Sequence, residues 1–301
     1  MNLGIFYVAL SGILYGSIGF SGHHLMALGF SVNALLFWRF FLSTLVLFPF
    51  SLRYFAGSPR KSVDLKMLAL LFAFSGVFYG IGTAAYFEAS KSVGTGLAMV
   101  IFFSYPLVVV CLSRFLHKEP FRATTIGSLA FILMGLSMIA LGDAARFEIV
   151  GVTLATISGF LFGCYVFFSK RICRAIPSVF ASFVVCLANT LAFTIYAGVA
   201  EQAITIPTGL VTWLHLGFFS LFGTVLPVMF LFLGLKTVSA NKASIISVLE
   251  PVTTLAVGAW LLQEKISVLQ FVGACVILAG ALLVQLGKEK HEGAGVTAAE
   301  H

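Results

Sequence analysis

The chain holds 301 residues, of which 60% are hydrophobic and only 10% charged, with a formal net charge of +7. Mean hydropathy is +1.06, whereas a soluble domain carries about 25% charged residues, so the soluble globular classes are excluded. Period-2 alternation of apolar residues is absent, which argues against a transmembrane barrel.

A helical span needs about 20 apolar residues, and ten such stretches follow one another along the chain. They run near 4–21, 32–50, 67–89, 94–115, 124–142, 149–168, 178–200, 210–235, 239–262 and 268–286. The expected fold class is an all-α polytopic membrane protein with ten transmembrane helices, five in each half. With the N-terminus inside, the cytoplasmic segments hold 14 Lys and Arg residues and the opposite side only Lys91, Arg146 and Lys265. A bias of that size sets orientation. Both termini are therefore expected in the cytoplasm, and the basic excess reflects topology rather than a nucleic-acid partner.

The two halves repeat each other. Pro106, Glu119 and Gly135 recur 145 residues later as Pro251, Glu264 and Gly280, and Lys91-Ser92-Val93 recurs as Lys236-Thr237-Val238. Gly4, Gly12, Gly16 and Phe20 return 147 residues later as Gly151, Gly159, Gly163 and Phe167. An odd number of spans per half turns the second copy upside down, so the chain divides into a five-helix repeat over 1–145 and an inverted one over 146–286. Inverted-topology repeats are a recurring architecture for alternating access about a midplane site. Residues 287–301 read as a disordered cytoplasmic tail.

The remaining whole-chain signals narrow the chemistry. Cysteines 111, 164, 173, 186 and 275 lie scattered without metal or redox spacing, and buried free cysteine behaves as a small apolar filler. His23-His24 has no further ligands beside it, and His215 reads as an interfacial residue, so neither a metal nor a cofactor is expected. No Gly-rich loop ends in Gly-Lys-Ser or Gly-Lys-Thr, which argues against ATP-driven transport by this chain alone. The first apolar segment lacks a basic start and opens the repeat, and is read as a retained helix.

Glycine pairs at small-xxx-small spacing, Gly12–Gly16, Gly76–Gly80 and Gly159–Gly163, permit close helix crossing. Their matched placement in helices 1 and 6 makes Gly12, Gly16, Gly159 and Gly163 candidate hinges. Pro106 and Pro251 fall mid-span in helices 4 and 9, where a lost backbone donor predicts kinks, and their equivalent repeat positions predict paired hinges or a broken-helix site.

The Gly-x3-Gly-x3-Phe pattern in helices 1 and 6, with Pro-x12-Glu closing helices 4 and 9, resembles the EamA repeat of the drug/metabolite transporter superfamily. The resemblance covers the chain apart from its tail, and among branches it is most like bacterial YddG-type aromatic amino acid exporters. It implies two inverted five-helix bundles in the bacterial inner membrane, with a central cavity lined by helices 1, 3, 4, 6, 8 and 9. Arg39 follows the family's habit of an arginine in helix 2, whereas helix 7 carries Cys186 near the corresponding position.

The residues themselves suggest what such a cavity binds. Helix 3 presents Ser75, Tyr79, Gly82 and Tyr86 on one stripe. Tyr15, Phe102, Tyr105, Phe162 and Tyr165 add rings from helices 1, 4 and 6, and Ser244 and Ser247 add hydroxyls from helix 9. Such a wall suits a neutral, amphipathic solute. Charge inside a bilayer costs at least about 2.5 kcal/mol on insertion scales and marks function. Glu250, opposite Tyr105 in the other repeat, is expected to couple protons or take a substrate ammonium group, or else to stand as a protonated or hydrogen-bonded carboxyl that props the proline kink. Arg39 is expected to pair with Glu88, with direct carboxylate binding as the alternative. Glu119 and Glu264 anchor helix ends or act as gating latches.

The expected function is secondary export of small metabolites, foremost neutral or aromatic amino acids, by a monomer in the bilayer. Broad drug or metabolite efflux and a channel-like uniporter stand as alternatives. A membrane enzyme is disfavoured, because no nucleophile with its base, paired carboxylates or His/Glu cluster is present.

Overall fold

The computed structural model describes residues 3–55, 65–118, 120–141, 148–201, 203–261 and 267–286. All regular structure among them is helical. The first half contains α1 (Leu3–Tyr15), α2 (Ser17–Ala27), α3 (Val32–Phe55), α4 (Leu65–Phe74), α5 (Ile81–Val93), α6 (Thr95–Phe102), α7 (Tyr105–His117) and α8 (Ala123–Leu141). The second contains α9 (Ile149–Ala175), α10 (Ser178–Val199), α11 (Leu210–Ser220), α12 (Leu226–Leu235), α13 (Ala240–Ile246), α14 (Leu249–Leu261) and α15 (Val268–Leu286). A π-helical turn, Ser75–Gly80, joins α4 to α5, and another, Leu221–Val225, joins α11 to α12. Seven helical stretches among the described residues are long and apolar enough to cross a membrane. The protein is a multi-span membrane protein.

The helices exchange partners between halves. α1 lies on α12 and α9 on α5, while α3 pairs with α10 and α8 with α15. The glycines of the repeat make these approaches possible. Gly4 abuts Thr237 and Val238, and Gly151 abuts the equivalent Ser92 and Val93. A Cβ at Gly12 would lie 3.1 Å from the Ser247 carbonyl oxygen, and one at Gly159 only 2.8 Å from that of Phe102. At the α8–α15 crossing, Gly135 meets Gly273 while Gly280 meets Ser128. Residue numbers rise along one helix as they fall along the other, so the pair is antiparallel. Thr44 and Thr190, each on one of the paired helices α3 and α10, share a hydrogen bond of 3.2 Å.

Of the kinks and helix breaks expected at the prolines, the structure has breaks. Pro106 sits in the first turn of α7, after a break at Phe103–Ser104, and Pro251 sits in the first turn of α14, after a break at Ser247–Val248. Proline is tolerated in a first turn because its missing N–H has no helical acceptor there. The carbonyls four residues back, Phe102 and Ser247, are the ones against which Gly159 and Gly12 pack. Repeat glycine and repeat proline are therefore two sides of one contact. A third break, at Gly16, parts α1 from α2, and the Gly16 carbonyl accepts a hydrogen bond from Thr254 Oγ1 at 3.1 Å. Its counterpart Gly163 lies inside the unbroken α9.

Candidate substrate-binding site

The helix breaks and the first π turn converge on one cavity. It is lined by Tyr15, Ile18, Arg39, Tyr79, Thr83, Tyr86, Phe87, Phe102, Phe162 and Glu250. Tyr15 and Ile18 flank the Gly16 break, Phe102 ends α6, and Glu250 enters in the first turn of α14. Ile18, Thr83 and Phe87 place the cavity towards the end of the bundle where α5 passes into α6.

On the other side of the cavity the rings close ranks. Tyr79 stacks on Tyr165 with centroids 4.9 Å apart, and Phe162 meets Tyr105 edge-on at 4.9 Å. Tyr105 donates to the Ser244 carbonyl at 3.1 Å, fastening α7 to α13. Farther along, Ser113 bonds Asn241 at 2.9 Å. Lys170 Nζ donates to the carbonyls of Leu235 and Val238, each at 2.7 Å. Aromatic packing and these bonds tie α7, α9, α12 and α13 together at this end.

Arg39 is the most constrained group in the wall. It is 1% exposed. Its Nε donates to Thr224 Oγ1 at 2.6 Å, and Nη2 donates to the Gly223 carbonyl at 2.8 Å and to the Tyr79 hydroxyl at 3.2 Å. The Phe40 and Phe219 rings lie 5.1 and 5.0 Å from the guanidinium carbon. Tyr79 and Thr224 are 145 residues apart, so one arginine spans equivalent positions of the two π turns. The Tyr79 hydroxyl also meets that of Tyr15 at 3.4 Å.

Several sequence expectations need correction. Arg39 does not pair with Glu88; that carboxylate is exposed in the last turn of α5 and pairs with Lys91 at 3.1 Å. The helix 3 stripe changes phase at the π turn, which adds to the residues per turn. Gly82 consequently faces α9, its carbonyl accepting from Ser158 Oγ at 2.6 Å, while Thr83 and Phe87 reach the cavity. Ser75 turns inward and donates to the Phe72 carbonyl. Helix 8 supplies no lining residue among those described, and helix 2 supplies Arg39 instead. Tyr15, Tyr79, Tyr86, Phe102, Phe162 and Glu250 do come together around the space. Tyr105, Tyr165, Ser244 and Ser247 stand behind it, the two serines bonding carbonyls of their own helix. Glu119 and Glu264 lie outside the described residues. His215 packs edge-on against His24 at 4.7 Å, and no group of three metal-ligating side chains occurs among the described residues.

Both repeats, residues 2–141 and 149–286, match the model of the EamA-like transporter family. The chain belongs to the EamA-like transporter family. An uncharacterised transporter of Archaeoglobus fulgidus is 24% identical over 288 residues, covering 94% of this chain and 96% of that protein. The uncharacterised inner membrane transporter YedA of Escherichia coli is 24% identical over 66% of this chain and 64% of its own length. An uncharacterised Synechocystis transporter is 25% identical over 64% of this chain and 60% of its own. These two alignments thus span less than two thirds of the relatives' lengths. A solved crystal structure superposes with a TM-score of 0.78 at 17% identity, covering 94% of this chain and 96% of that one. Membership in the family assigns the EamA-like chain to membrane transport of small molecules.

Proposed function

We propose that this EamA-like protein is a secondary exporter of neutral or aromatic amino acids in the bacterial inner membrane, working by alternating access. Ten spans form two inverted repeats, with both termini in the cytoplasm. The antiparallel, reciprocal contact of Gly135 with Gly273 and of Gly280 with Ser128 supports inversion, because a two-fold relating antiparallel helices runs across them. In that orientation the cavity opens outward and the Tyr79–Tyr165 stack closes the cytoplasmic side.

The observation that carries the substrate reading is the cavity itself, a space walled by Tyr86, Phe102 and Phe162 and lined also by Arg39 and Glu250. Rings take the apolar part of a solute and polar groups its head. Motion would come from helices 1 and 6 rocking on the carbonyls at the helix 4 and 9 breaks, with Gly12, Gly16, Gly159 and Gly163 as the sliding surfaces. Glu119 and Glu264 remain proposed latches at opposite faces.

Counterflow in proteoliposomes with labelled phenylalanine, threonine or methionine tests this reading. Saturable exchange is expected. Absence of exchange with every amino acid overturns the substrate assignment, and non-saturable flux indicates a pore.

A further inference from the structure

We infer that Glu250 is a proton-operated gate residue: its protonated carboxyl donates to the Met99 carbonyl when the outer side of the cavity closes, and its carboxylate leaves that side open. This deepens the alternating-access reading and rests on it, while asking nothing of the substrate.

The two ends of the bundle hold one constellation in two forms. Helices 3 and 4 relate to helices 8 and 9 by a shift of 145 residues, and helix 1 to helix 6 by 147. Ile18, Thr83 and Phe87 line the cavity at its open end. Their equivalents Tyr165, Val228 and Phe232 are at most 1% exposed, at the end closed by the ring stack. Exchange of conformations between inverted repeats turns each form into the other. A contact now made at the closed end therefore has an equivalent that forms at the outer end when that end closes.

Tyr105 makes such a contact between helices 4 and 9, its hydroxyl donating to the Ser244 carbonyl at 3.1 Å. The same shift of 145 turns Tyr105 into Glu250 and relates Ser244 to Met99. Glu250 now lines the cavity from the first turn of α14, and Phe102, one turn beyond Met99 on α6, lines it too. The Met99 carbonyl accepts from the Phe103 N–H at 2.8 Å, and its oxygen has a second lone pair to offer. A tyrosine hydroxyl always has a proton to donate. A glutamate has one only when protonated, because the ionised carboxylate is acceptor-only. Pressed against a carbonyl in a closed contact, a carboxylate would set two acceptors together with its charge unpaired, which is costly.

The proton comes from water in the outer cavity, forms an O–H bond on one carboxylate oxygen, and returns to the same water when the outer side reopens. Tyr105 stands behind the cavity rather than in it, so the exchanged form places Glu250 behind the inner cavity, away from the cytoplasmic opening. The proton therefore sets how long the outer side stays shut and does not drive transport. Around Glu250, Arg39 of α3 stays charged at ordinary pH, and Tyr15, Tyr79, Tyr86 and Tyr105 are phenols that titrate in the alkaline range. The helices α2 and α15, which pack on α14, carry His24, edge-on to His215, and the exposed Cys275.

The test follows a cysteine at Thr83, a position the exchanged form buries as it now buries Val228. In the full-length chain with its five native cysteines replaced, its reaction with a thiol reagent is measured in detergent without substrate. A cysteine at the exposed Leu28 corrects for the pH dependence of the thiolate. Acidification should slow the corrected rate about fivefold, the factor one ordinary buried hydrogen bond supplies. Glu250→Gln, whose amide donates at every pH, should react slowly throughout, and Glu250→Leu, which has no donor, should react fast throughout. Both variants remove the charge, so equal rates in the two overturn the hydrogen-bonded gate. A rate independent of pH with Glu250 in place overturns it as well, whatever the folding of the variants. Accumulation of an amino acid in proteoliposomes under a pH gradient alone would show that the proton crosses, and overturns the gate as drawn. Absence of counterflow with every amino acid strikes the substrate reading and leaves the labelling result standing.

Discussion

At the scale of single residues, the unusual feature is a buried arginine whose hydrogen-bond partners are all neutral. Thr224, Gly223 and Tyr79 disperse its charge through hydrogen bonds, and two aromatic faces add cation–π attraction. The hydroxyl of Tyr79 serves both Arg39 and Tyr15, so the three groups act as a unit. Tyr79→Phe is expected to cost about 1 kcal/mol, the ordinary net worth of a buried hydrogen bond, with more if Arg39 is left short of an acceptor. Tyr15→Phe should cost less, since it removes only the 3.4 Å contact. Thermal unfolding in detergent of both single variants and the double variant checks this, and the double should fall short of the sum because one hydrogen bond is shared. The aromatic residues and Glu250 were legible in the sequence as cavity candidates. The Arg39–Glu88 pair was not, because sequence spacing says nothing of which helix face a side chain leaves by, and Lys91 stands one turn from Glu88.

At the scale of elements, the fold depends on where backbones touch. Gly159 and Gly12 lie against the carbonyls left by the proline breaks, and backbone cannot yield as a side-chain tip does. Gly159→Ala, with its Cβ 2.8 Å from the Phe102 oxygen, is expected to destabilise by roughly 1–3 kcal/mol. Gly12→Ala, at 3.1 Å, should cost less. Gly217→Ala supplies the contrast: it lies inside α11 with nothing within 4 Å of a Cβ. There alanine should stabilise by up to about 1 kcal/mol, by the helix propensity difference. Ranked melting temperatures of the three variants check the order, and equal effects would refute the contact argument. The glycine and proline motifs were readable along the chain, but their joining was not, since Gly12 and Ser247 are brought together only by packing between the halves. The π turns also left no readable signal.

At the scale of the whole molecule, the proposed orientation makes the cavity accessible from outside and sealed towards the cytoplasm. A cysteine at Thr83, in a background with the five native cysteines replaced, should react with a membrane-impermeant thiol reagent added outside cells. A cysteine at Val109, which is buried in α7 beyond the ring stack, should resist it. Substrate should slow the reaction at position 83. Labelling of position 83 from the cytoplasmic side alone would reverse the orientation. Lys170→Met should loosen the closed end, since it removes the donor to the Leu235 and Val238 carbonyls. Its signature would be increased reactivity of the Val109 cysteine from the cytoplasmic side.

The sequence by itself determined the class, the repeat and most of the rings around the site. Hydropathy, glycine spacing and proline placement are local properties, and a bilayer demands that each span satisfy its backbone internally. Tertiary structure decided how the pieces meet. Only packing shows that the prolines open breaks rather than kinks, that Gly12 and Gly159 rest on those breaks, and that Arg39 bridges two equivalent π turns instead of pairing with Glu88. The physical reason is that helical periodicity states which residues share a face, whereas partners across 184 or 185 residues of chain, as for Arg39 with Gly223 and Thr224, are chosen by close contact between helices.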